Sequence, residues 1–271
     1  MDIEDLLTIA VDLAQRAGAL VAEGRDRAGL DRAALGVESK STPTDVVTAM
    51  DRASERFLAG ELRRLRPGDA VLGEEGADRA GSTGVRWLVD PIDGTVNYLY
   101  GLPQYAVSVA AEADGVVVAG AVHNPASGET FRASARGGAW LSAPGRPDRR
   151  LAVTACTELA QAMVGTGFSY AAQTRAAQAR VVAAMLPRVR DIRRLGSAAL
   201  DLCFLAAGRL DVFYEGGLNP WDFAAGGLVA AEAGAKLSGG QGRPPGTELF
   251  VAAAPGVAPA FLALLDELTT P

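Results

Sequence analysis

The chain has 271 residues, of which 49 % are apolar and 21 % charged, so it is long and apolar enough for one large or two closely packed domains. Its formal net charge of −6 argues against a surface built for direct nucleic-acid binding. The two cysteines, Cys156 and Cys203, form no C-x-x-C pair, which excludes a zinc or disulfide framework and is typical of a reducing compartment.

The N-terminal residues predict neither a secretory signal nor a membrane segment. The chain begins MDIEDLLTIA, which is acidic where a secretory signal would be basic. No run of about 18 or more apolar residues follows anywhere in the sequence. We therefore expect a cytoplasmic protein that does not enter a membrane.

The first half of the chain predicts two helices followed by short strands. Apolar residues recur at helical spacing over residues 3–23, and a second helix is expected over residues 46–65. Short apolar runs bounded by turn residues then predict strands at Ala70–Leu72, Trp87–Val89, Tyr105–Ala111, Gly115–Val122 and Glu129–Ala133. The segment Leu141–Arg150 is rich in proline, glycine and charge, and is the best candidate for an internal boundary.

Strands and helices alternate beyond this segment. The predicted strands are Ala162–Gly165, Val189–Arg193, Leu210–Tyr214 and Glu248–Ala252. The predicted helices are Thr174–Leu186, Ser197–Ala207, Trp221–Gly234 and Pro259–Leu268. This order predicts an α/β protein, with an α+β N-terminal domain over residues 1–146 and an α/β C-terminal domain over residues 147–271.

Two carboxylates follow the predicted strand Trp87–Val89. Asp90 comes directly after the strand and Asp93 three residues later, so a tight turn can aim both side chains at one point. Mg²⁺ takes oxygen ligands from one or two carboxylates together with a substrate phosphate. The N–H groups of Gly94 and Thr95 would face that phosphate as helix N-termini do. Ordinary turns use the same residue types, so this motif alone does not distinguish a metal site from a turn.

Further acids occupy two similar positions. Glu74 and Glu75 follow the predicted strand Ala70–Leu72, and Asp222 lies at the start of a predicted helix, where an acid also serves as a cap. Turn chemistry alone does not explain three acidic strand ends or helix starts in one chain. The sequence therefore predicts that these distant acids converge around divalent cations.

Five motifs resemble the inositol monophosphatase family. They are Lys40–Asp51 (KSTPTDVVTAMD), Gly73-Glu74-Glu75, Trp87–Tyr100 (WLVDPIDGTVNYLY), Asn124–Ala139 (NPASGETFRASARGGA) and Trp221–Ala235 (WDFAAGGLVAAEAGA). Residues 166–199 are similar to the bacterial SuhB-like inositol-1-monophosphatases in particular. The resemblance extends over nearly the whole chain. It implies a layered αβαβα sugar-phosphatase fold, Mg²⁺-dependent hydrolysis of inositol 1-phosphate to inositol and phosphate, sensitivity to lithium, and a homodimer.

The resemblance also implies a set of metal ligands. Glu74, Asp90 and the Ile92 carbonyl are expected to hold one Mg²⁺, and Asp90, Asp93 and Asp222 a second. A third ion near Glu74 would make three per active site. Two such ions stabilise the entering and leaving oxygens of an in-line displacement.

The same resemblance implies catalytic and substrate-binding roles. Thr95 and Glu74 are expected to orient the attacking water, and Asp51 to accept a hydrogen bond from the Thr95 hydroxyl. The substrate-binding residues it implies are Asp93, Gly94, Thr95, Gly196, Ser197, Ala198, Glu215 and Asp222. Without the resemblance, Glu215 would be interpreted as a surface acid at a strand end. Lys40 and Asp45 match a mobile loop near the metals, and for Asp45 a solvated charged loop is the preferred interpretation.

Other enzyme mechanisms receive less support from the sequence. His123 is the only histidine and no G-x-S-x-G motif is present, so a Ser-His-Asp triad is disfavoured. Cys203 and Arg209 have the C-x₅-R spacing of cysteine phosphatases, but they lie in an apolar helical run, so Cys203 is interpreted as a core residue.

Three functional alternatives stay open. A histidinol phosphatase, a sugar bisphosphatase or a nucleotide 3′-phosphatase would share the same metal scaffold. A non-catalytic RNA- or polymerase-associated regulator would be favoured by a contiguous arginine surface formed by Arg188, Arg190, Arg193 and Arg194. A module that only binds metal would be excluded by phosphate release stimulated by Mg²⁺.

Overall fold

The computed structural model describes residues 2–29 and 31–269. The helices are α1 (Ile3–Ala28), α2 (Ala49–Leu65), α3 (Thr95–Tyr100), α4 (Ala172–Met185), α5 (Ala198–Ala206), α6 (Pro220–Glu232) and α7 (Ala258–Thr269). Within the described ranges, no helix combines the length and apolar character that crossing a bilayer requires.

The strands form two large sheets and one short pair. The pair is β1 (Glu38–Ser39) and β2 (Val46–Val47). The first sheet has the order of the chain: β3 (Ala70–Gly73), β4 (Val85–Asp93), β5 (Ala106–Ala113), β6 (Val116–Asn124), β7 (Glu129–Ser134), β8 (Gly138–Ser142) and β9 (Arg149–Arg150). It is antiparallel except for the parallel pair β3–β4.

The second sheet contains β10 (Met163–Thr166), β11 (Asp191–Arg193), β12 (Val212–Glu215), β13 (Lys236–Ser238) and β14 (Phe250–Ala253). Its order is β11-β10-β12-β14-β13, with the first three strands parallel and the others antiparallel to their neighbours.

Helices and sheets alternate in five layers. Helices α1 and α2 cover one face of the seven-stranded sheet, and α5 and α6 lie between its other face and the five-stranded sheet. Helices α4 and α7 cover the outer face of the second sheet. Strand β4 shows the period of two: Trp87 and Val89 face the α1 side, whereas Leu88 faces the α5–α6 side. The prediction of a layered α/β fold is confirmed.

The second helix begins later than predicted. It starts at Ala49 rather than residue 46, because the β-branched pair Val46–Val47 joins a short strand. Thr48 caps the helix by accepting the N–H groups of Met50 (3.2 Å) and Asp51 (3.4 Å). Asp51 Oδ2 in turn accepts the Thr48 N–H at 2.8 Å, which completes a capping box and fixes the carboxyl of Asp51.

The proline- and glycine-rich segment Leu141–Arg150 contains structure that its composition did not predict. It includes the end of β8 and all of β9, which form one edge of the seven-stranded sheet. The chain enters the second sheet at Met163. The division between residues 146 and 147 remains a prediction.

Helix α6 approaches the first sheet closely at Gly120. A Cβ atom there would lie 2.9 Å from Ala225 Cα and 3.1 Å from Ala225 Cβ. We expect Gly120→Ala to lower the free energy of unfolding by about 1–3 kcal/mol, because the methyl group pushes α6 away from β6. Urea denaturation followed by circular dichroism measures this change.

Gly60 on α2 provides a matched control. A Cβ atom at Gly60 meets nothing within 4 Å, so Gly60→Ala removes backbone entropy from the unfolded chain without a clash. We expect it to stabilise the protein by about 0.5–1 kcal/mol. Equal stability of the two variants would contradict the close approach at Gly120.

Candidate active site

A cavity of about 750 Å³ opens where the end of β4 meets the N-termini of α5 and α6. Nearly all the site residues expected from the sequence line it, and they come from separate parts of the chain: Glu74, Asp90, Ile92, Asp93, Gly94, Thr95, Gly196, Ser197, Ala198, Glu215 and Asp222. Asp51 does not line the cavity but lies directly behind Thr95.

The end of β4 aims two carboxylates into this cavity. Asp90 and Asp93 both belong to the strand, which continues past the predicted end at Val89, and the pairing of β4 with β5 is irregular between them, as expected where a strand carries a bulge next to a site. The backbone then turns at Gly94, whose φ is +90° and whose Cβ would lie 2.8 Å from the Gln104 carbonyl oxygen. Only glycine suits this position, and the turn depends on it.

Asp93 is anchored by the start of α5. Its Oδ2 accepts hydrogen bonds from Ser197 Oγ at 2.5 Å and from the Ala199 N–H at 2.7 Å. Asp222 is oriented in a similar way at the start of α6, where its Oδ2 accepts the Asn219 N–H at 2.7 Å. Two helix N-termini therefore converge on the cavity, and their N–H groups favour an anionic ligand.

The Thr95 hydroxyl is held between a carboxylate and a carbonyl. It donates to Asp51 Oδ1 at 2.9 Å and lies 3.0 Å from the Ile92 carbonyl oxygen. Asp51 is 0 % exposed, and burial raises its pKa to about 6. With its proton directed towards Asp51, the hydroxyl can accept a hydrogen bond from the cavity.

The acids of the cavity wall repel one another. Asp90 is 1 % exposed, and its pKa is raised well above the usual range by burial and by the negative charges of Glu74, Asp93 and Asp222. Burial raises the pKa of Asp93 to about 6, and burial with the charge of Asp93 raises that of Asp222 further. A bound cation would relieve this repulsion, and carboxylate oxygens are the donors that hard divalent ions prefer. The donor chemistry of these residues therefore fits a divalent metal, although their side chains are not arranged around one.

The side chains do not form a closed coordination shell. Within the described ranges, no group of three or more His, Cys, Asp or Glu side chains is arranged to hold a metal ion. Lys40 Nζ lies 2.8 Å from Glu74 Oε1 and also contacts Glu75. The ammonium group thus neutralises part of the negative charge and would have to leave Glu74 before a metal bound there.

Glu215 lines the same cavity from the second sheet. It ends β12, and a Cβ atom on Gly167 would lie 2.0 Å from its carboxylate oxygens, so the acid packs directly on glycine backbone. Burial raises the pKa of Glu215 to about 7, against the opposing charge of Arg194. Glu215 is therefore not the exposed strand-end acid that its sequence context alone suggests.

Sequence reasoning missed several residues of the cavity wall. They are Tyr170, Arg175, Arg194, Asp201 and Trp221. All except Asp201 lie within residues 166–199 or Trp221–Ala235, two segments that resemble the family. Asp201 follows the N-cap Ser197 by four residues, so the helical period places it on the same side of α5. Lys40 and Asp45 also line the cavity, and Asp45 Oδ2 accepts the Ser41 hydroxyl at 2.5 Å.

The residues considered for other mechanisms lie elsewhere. His123 Nδ1 is 2.9 Å from Thr130 Oγ1 in the first sheet. Cys203 lies on α5 and is buried in the core between that helix and the first sheet, and burial raises the pKa of its thiol well above the usual value, which disfavours a nucleophilic thiolate. Arg209 pairs with Glu129 rather than with a phosphate site.

His123 makes stability depend on pH. Burial lowers its pKa to about 4, whereas an unfolded histidine titrates near 6.5. The unfolded chain therefore binds more protons between these values, and the stability that the neutral imidazole contributes is lost as the pH falls from about 6.5 towards 4. We expect His123→Gln to reduce this loss, by up to about 1.4 kcal/mol per pH unit. Urea titrations of both proteins at pH 7, 6 and 5 measure the difference, and parallel pH profiles would contradict it.

Comparison with known proteins assigns this geometry to one family. The sequence model described as "Inositol monophosphatase family" matches residues 2–269. The inositol-1-monophosphatase of Mycobacterium leprae is 50 % identical, over 98 % of this chain and 94 % of the relative. The Nus factor SuhB of Salmonella typhimurium is 36 % identical, over 97 % of each chain.

Solved structures of members of this family have the same fold as this chain. Mycobacterium tuberculosis SuhB superposes with a TM-score of 0.85 at 42 % identity, covering 99 % of this chain and 98 % of that one. The suhB protein of Bartonella henselae superposes with a TM-score of 0.89 at 32 % identity, covering 97 % and 99 % respectively. The likeness thus extends over the whole layered fold and both sides of the cavity.

Proposed function

The chain belongs to the inositol monophosphatase family and is a phosphoric monoester hydrolase, and from this premise we propose that it hydrolyses inositol 1-phosphate with the help of Mg²⁺. The family is metal-dependent in general. The observation that carries the proposal is the meeting of four acids (Glu74, Asp90, Asp93 and Asp222) with Thr95 in one cavity that Glu215 also lines. The phosphate and the polyol of one substrate would both occupy this cavity.

Mg²⁺ is the metal we propose, with two or three ions per site. Glu74, Asp90 and the Ile92 carbonyl would hold one ion, and Asp90, Asp93 and Asp222 another. When bound, Mg²⁺ would stabilise negative charge on the phosphoryl and leaving oxygens and lower the pKa of the attacking water. Burial together with the negative charges of Glu74, Asp93 and Asp222 raises the pKa of Asp90, and a bound cation would offset both, which supports this assignment.

The protein's own groups would position the water and the phosphate. Asp51 holds the Thr95 hydroxyl so that its lone pairs are available to a water molecule, and Glu74 would accept the second hydrogen of that water. The N–H groups of Gly94 and Thr95 would bind phosphate oxygens at the start of α3. No histidine is needed in this arrangement.

The end of β12 and the start of α5 would bind the alcohol. We propose that Glu215 accepts hydrogen bonds from ring hydroxyls, and that Gly196, Ser197 and Ala198 contact the sugar-like ring. A site that hydrogen-bonds hydroxyls discriminates strongly against analogues without them, because its own polar groups would then be left unpaired.

The proposal is tested by steady-state kinetics. We expect phosphate release from inositol 1-phosphate to stop when metal is removed by a chelator and to return when Mg²⁺ is added. We also expect a higher kcat/KM for inositol 1-phosphate than for histidinol phosphate. A clear preference for histidinol phosphate would overturn the substrate assignment, and metal-independent turnover would overturn the mechanism.

A regulatory role is the second candidate, because relatives such as that of Salmonella typhimurium are named Nus factors. The surface offers little support for direct RNA binding. Arg188 pairs with Glu267 at 2.7 Å and Arg193 with Asp191 at 2.5 Å, so acids neutralise two of the four arginines considered. In a regulatory role, this surface would therefore bind a protein partner better than RNA. An affinity measurement with purified RNA would decide between RNA binding and protein binding.

We further propose a cytoplasmic homodimer. The unpaired thiols of Cys156 and Cys203 support a reducing compartment. Dimerisation is supported by the family likeness, and light scattering coupled to size-exclusion chromatography would test it by giving a mass of one or two chains.

A further inference from the structure

Asp201 is a buried acid in the cavity wall that the proposed chemistry leaves unused. It lies in the first turn of α5 and is 1 % exposed. Its Oδ1 is buried and has no hydrogen-bond partner among the described residues. The residue nevertheless lines the same cavity as Asp93 and Glu215.

A second orphaned atom lies in the same wall. Among the residues that the structure describes, the buried side-chain polar atoms without a partner are Asp201 Oδ1 and Trp221 Nε1. One is an oxygen and the other an N–H donor, and both residues line the cavity. Since buried polar groups are nearly always hydrogen-bonded, two orphans at one cavity indicate that a ligand completes them.

Asp69 shows how this fold treats a buried carboxyl that serves stability alone. It is also 1 % exposed, but it accepts hydrogen bonds from Thr83 Oγ1 (2.6 Å), Arg66 Nε (2.8 Å) and Trp87 Nε1 (2.9 Å). Asp201 Oδ1 accepts no such hydrogen bond from any of the described residues. An acid near a helix start gains some stabilisation from the helix dipole, but a solvated side chain would gain it without the cost of burial.

We propose that Asp201 is a specificity-determining residue, whose buried carboxyl forms a hydrogen bond with a hydroxyl of the alcohol part of the substrate. The proposal rests on the proposed function, because it assigns the alcohol to this side of the cavity. A native fold tolerates an unsatisfied polar group where binding requires it, at a cost to the stability of the free protein.

The surrounding charges favour a hydroxyl over a phosphate at this position. Glu215, Asp93 and Arg194 are the charged groups whose fields reach Asp201, and two of the three are negative. A second anion would be repelled there, whereas a neutral hydroxyl can both donate and accept. Burial, with the charges of Glu215 and Asp93, raises the pKa of Asp201 well above its usual value, so the carboxyl can also act as a donor.

The test compares two substrates in two variants. Asp201→Leu keeps the branching of the side chain but removes both oxygens, and Asp201→Asn keeps the ability to hydrogen-bond. For each protein, kcat/KM is measured with Mg²⁺ on inositol 1-phosphate and on 4-nitrophenyl phosphate, whose leaving group carries no further hydroxyl. The ratio of the two values reports recognition of the alcohol.

We expect Asp201→Leu to lower this ratio about 10-fold or more, mainly through KM for inositol 1-phosphate, and Asp201→Asn to keep it within about threefold. The Tm of the metal-free protein should not fall in Asp201→Leu, because the lost carboxyl had no partner. Asp69→Asn is the matched control: it should lower Tm and leave the ratio unchanged, since Asp69 lies away from the cavity.

An unchanged ratio in Asp201→Leu would overturn the proposal. A fall in Tm as large as that of Asp69→Asn would also overturn it, since the carboxyl would then serve the fold. Failure of the unsubstituted protein to release phosphate from either substrate would instead count against the proposed function, so the two failures are distinguishable.

Discussion

Asp93→Asn is expected to lower kcat on phosphate monoesters by about 10³-fold or more while leaving the protein folded. The amide oxygen of asparagine can still accept the hydrogen bonds from Ser197 and Ala199, so the start of α5 keeps its anchor. The lost negative charge weakens metal binding, because a neutral amide is a poorer ligand for a hard cation than a carboxylate. Phosphate release at saturating substrate and Mg²⁺ measures the effect.

The stability of the metal-free variant gives an independent readout. Replacing Asp93 with a neutral residue removes charge repulsion that acts on Asp90 and Asp222, so its Tm in a chelator should equal or exceed that of the unsubstituted protein. Asp222→Asn should lose activity in the same way. Asp148→Asn, which changes an exposed acid paired with Arg132, serves as the control and should retain activity. Undiminished hydrolysis by Asp93→Asn would contradict the proposal that Asp93 holds a catalytic metal ion.

Thr95→Val is expected to reduce kcat about 10²- to 10³-fold with little change in KM. Valine has the shape of threonine but lacks the hydroxyl that lies between Asp51 and the Ile92 carbonyl. The attacking water would then lose an acceptor and its orientation. The buried Asp51 would also lose a donor, which should lower the free energy of unfolding by about 1 kcal/mol. Stopped-time phosphate assays and urea denaturation measure the two effects.

Two further variants separate the catalytic effect from the structural one. Thr95→Ser keeps the hydroxyl and should remain within about 10-fold of the unsubstituted kcat. Thr83→Val removes a hydroxyl that donates to another buried acid, Asp69, at 2.6 Å, far from the cavity. It should lose similar stability but retain activity. Full activity of Thr95→Val would exclude the hydroxyl from the mechanism.

Lys40 forms an ion pair inside the site that bears on these experiments. Its ammonium group pairs with Glu74, so metal binding at Glu74 competes with an ion pair already present in the protein. Sequence reasoning assigned Lys40 and Asp45 to a loop near the metals but did not foresee this contact. Ion pairs between residues 34 positions apart depend on how a loop folds back over β3, which no local pattern specifies.

The sequence predicted local features well because they depend on neighbouring residues. Apolar periodicity located α1 and most strands, and the spacing of Asp90 and Asp93 indicated a turn that aims both acids in one direction. Prediction from the sequence was wrong where strand pairing with distant residues overrides the local amino-acid composition. Val46–Val47 became a strand because Glu38–Ser39 pairs with it, and the Pro- and Gly-rich segment before Arg150 still completed a sheet.

By itself, the sequence determined which strand ends and helix starts carry acids, and this pattern predicted that the acids converge around divalent cations. Only the tertiary structure decided which of these positions meet. The contact between Asp93 and Ser197 spans 104 residues and exists because α5 lies between the two sheets. The same packing buries Asp201 Oδ1 without a hydrogen-bond partner among the described residues, whereas the Asp69 carboxyl accepts three hydrogen bonds. Burial and pairing are properties of the assembled layers, because they depend on which side chains the fold brings together.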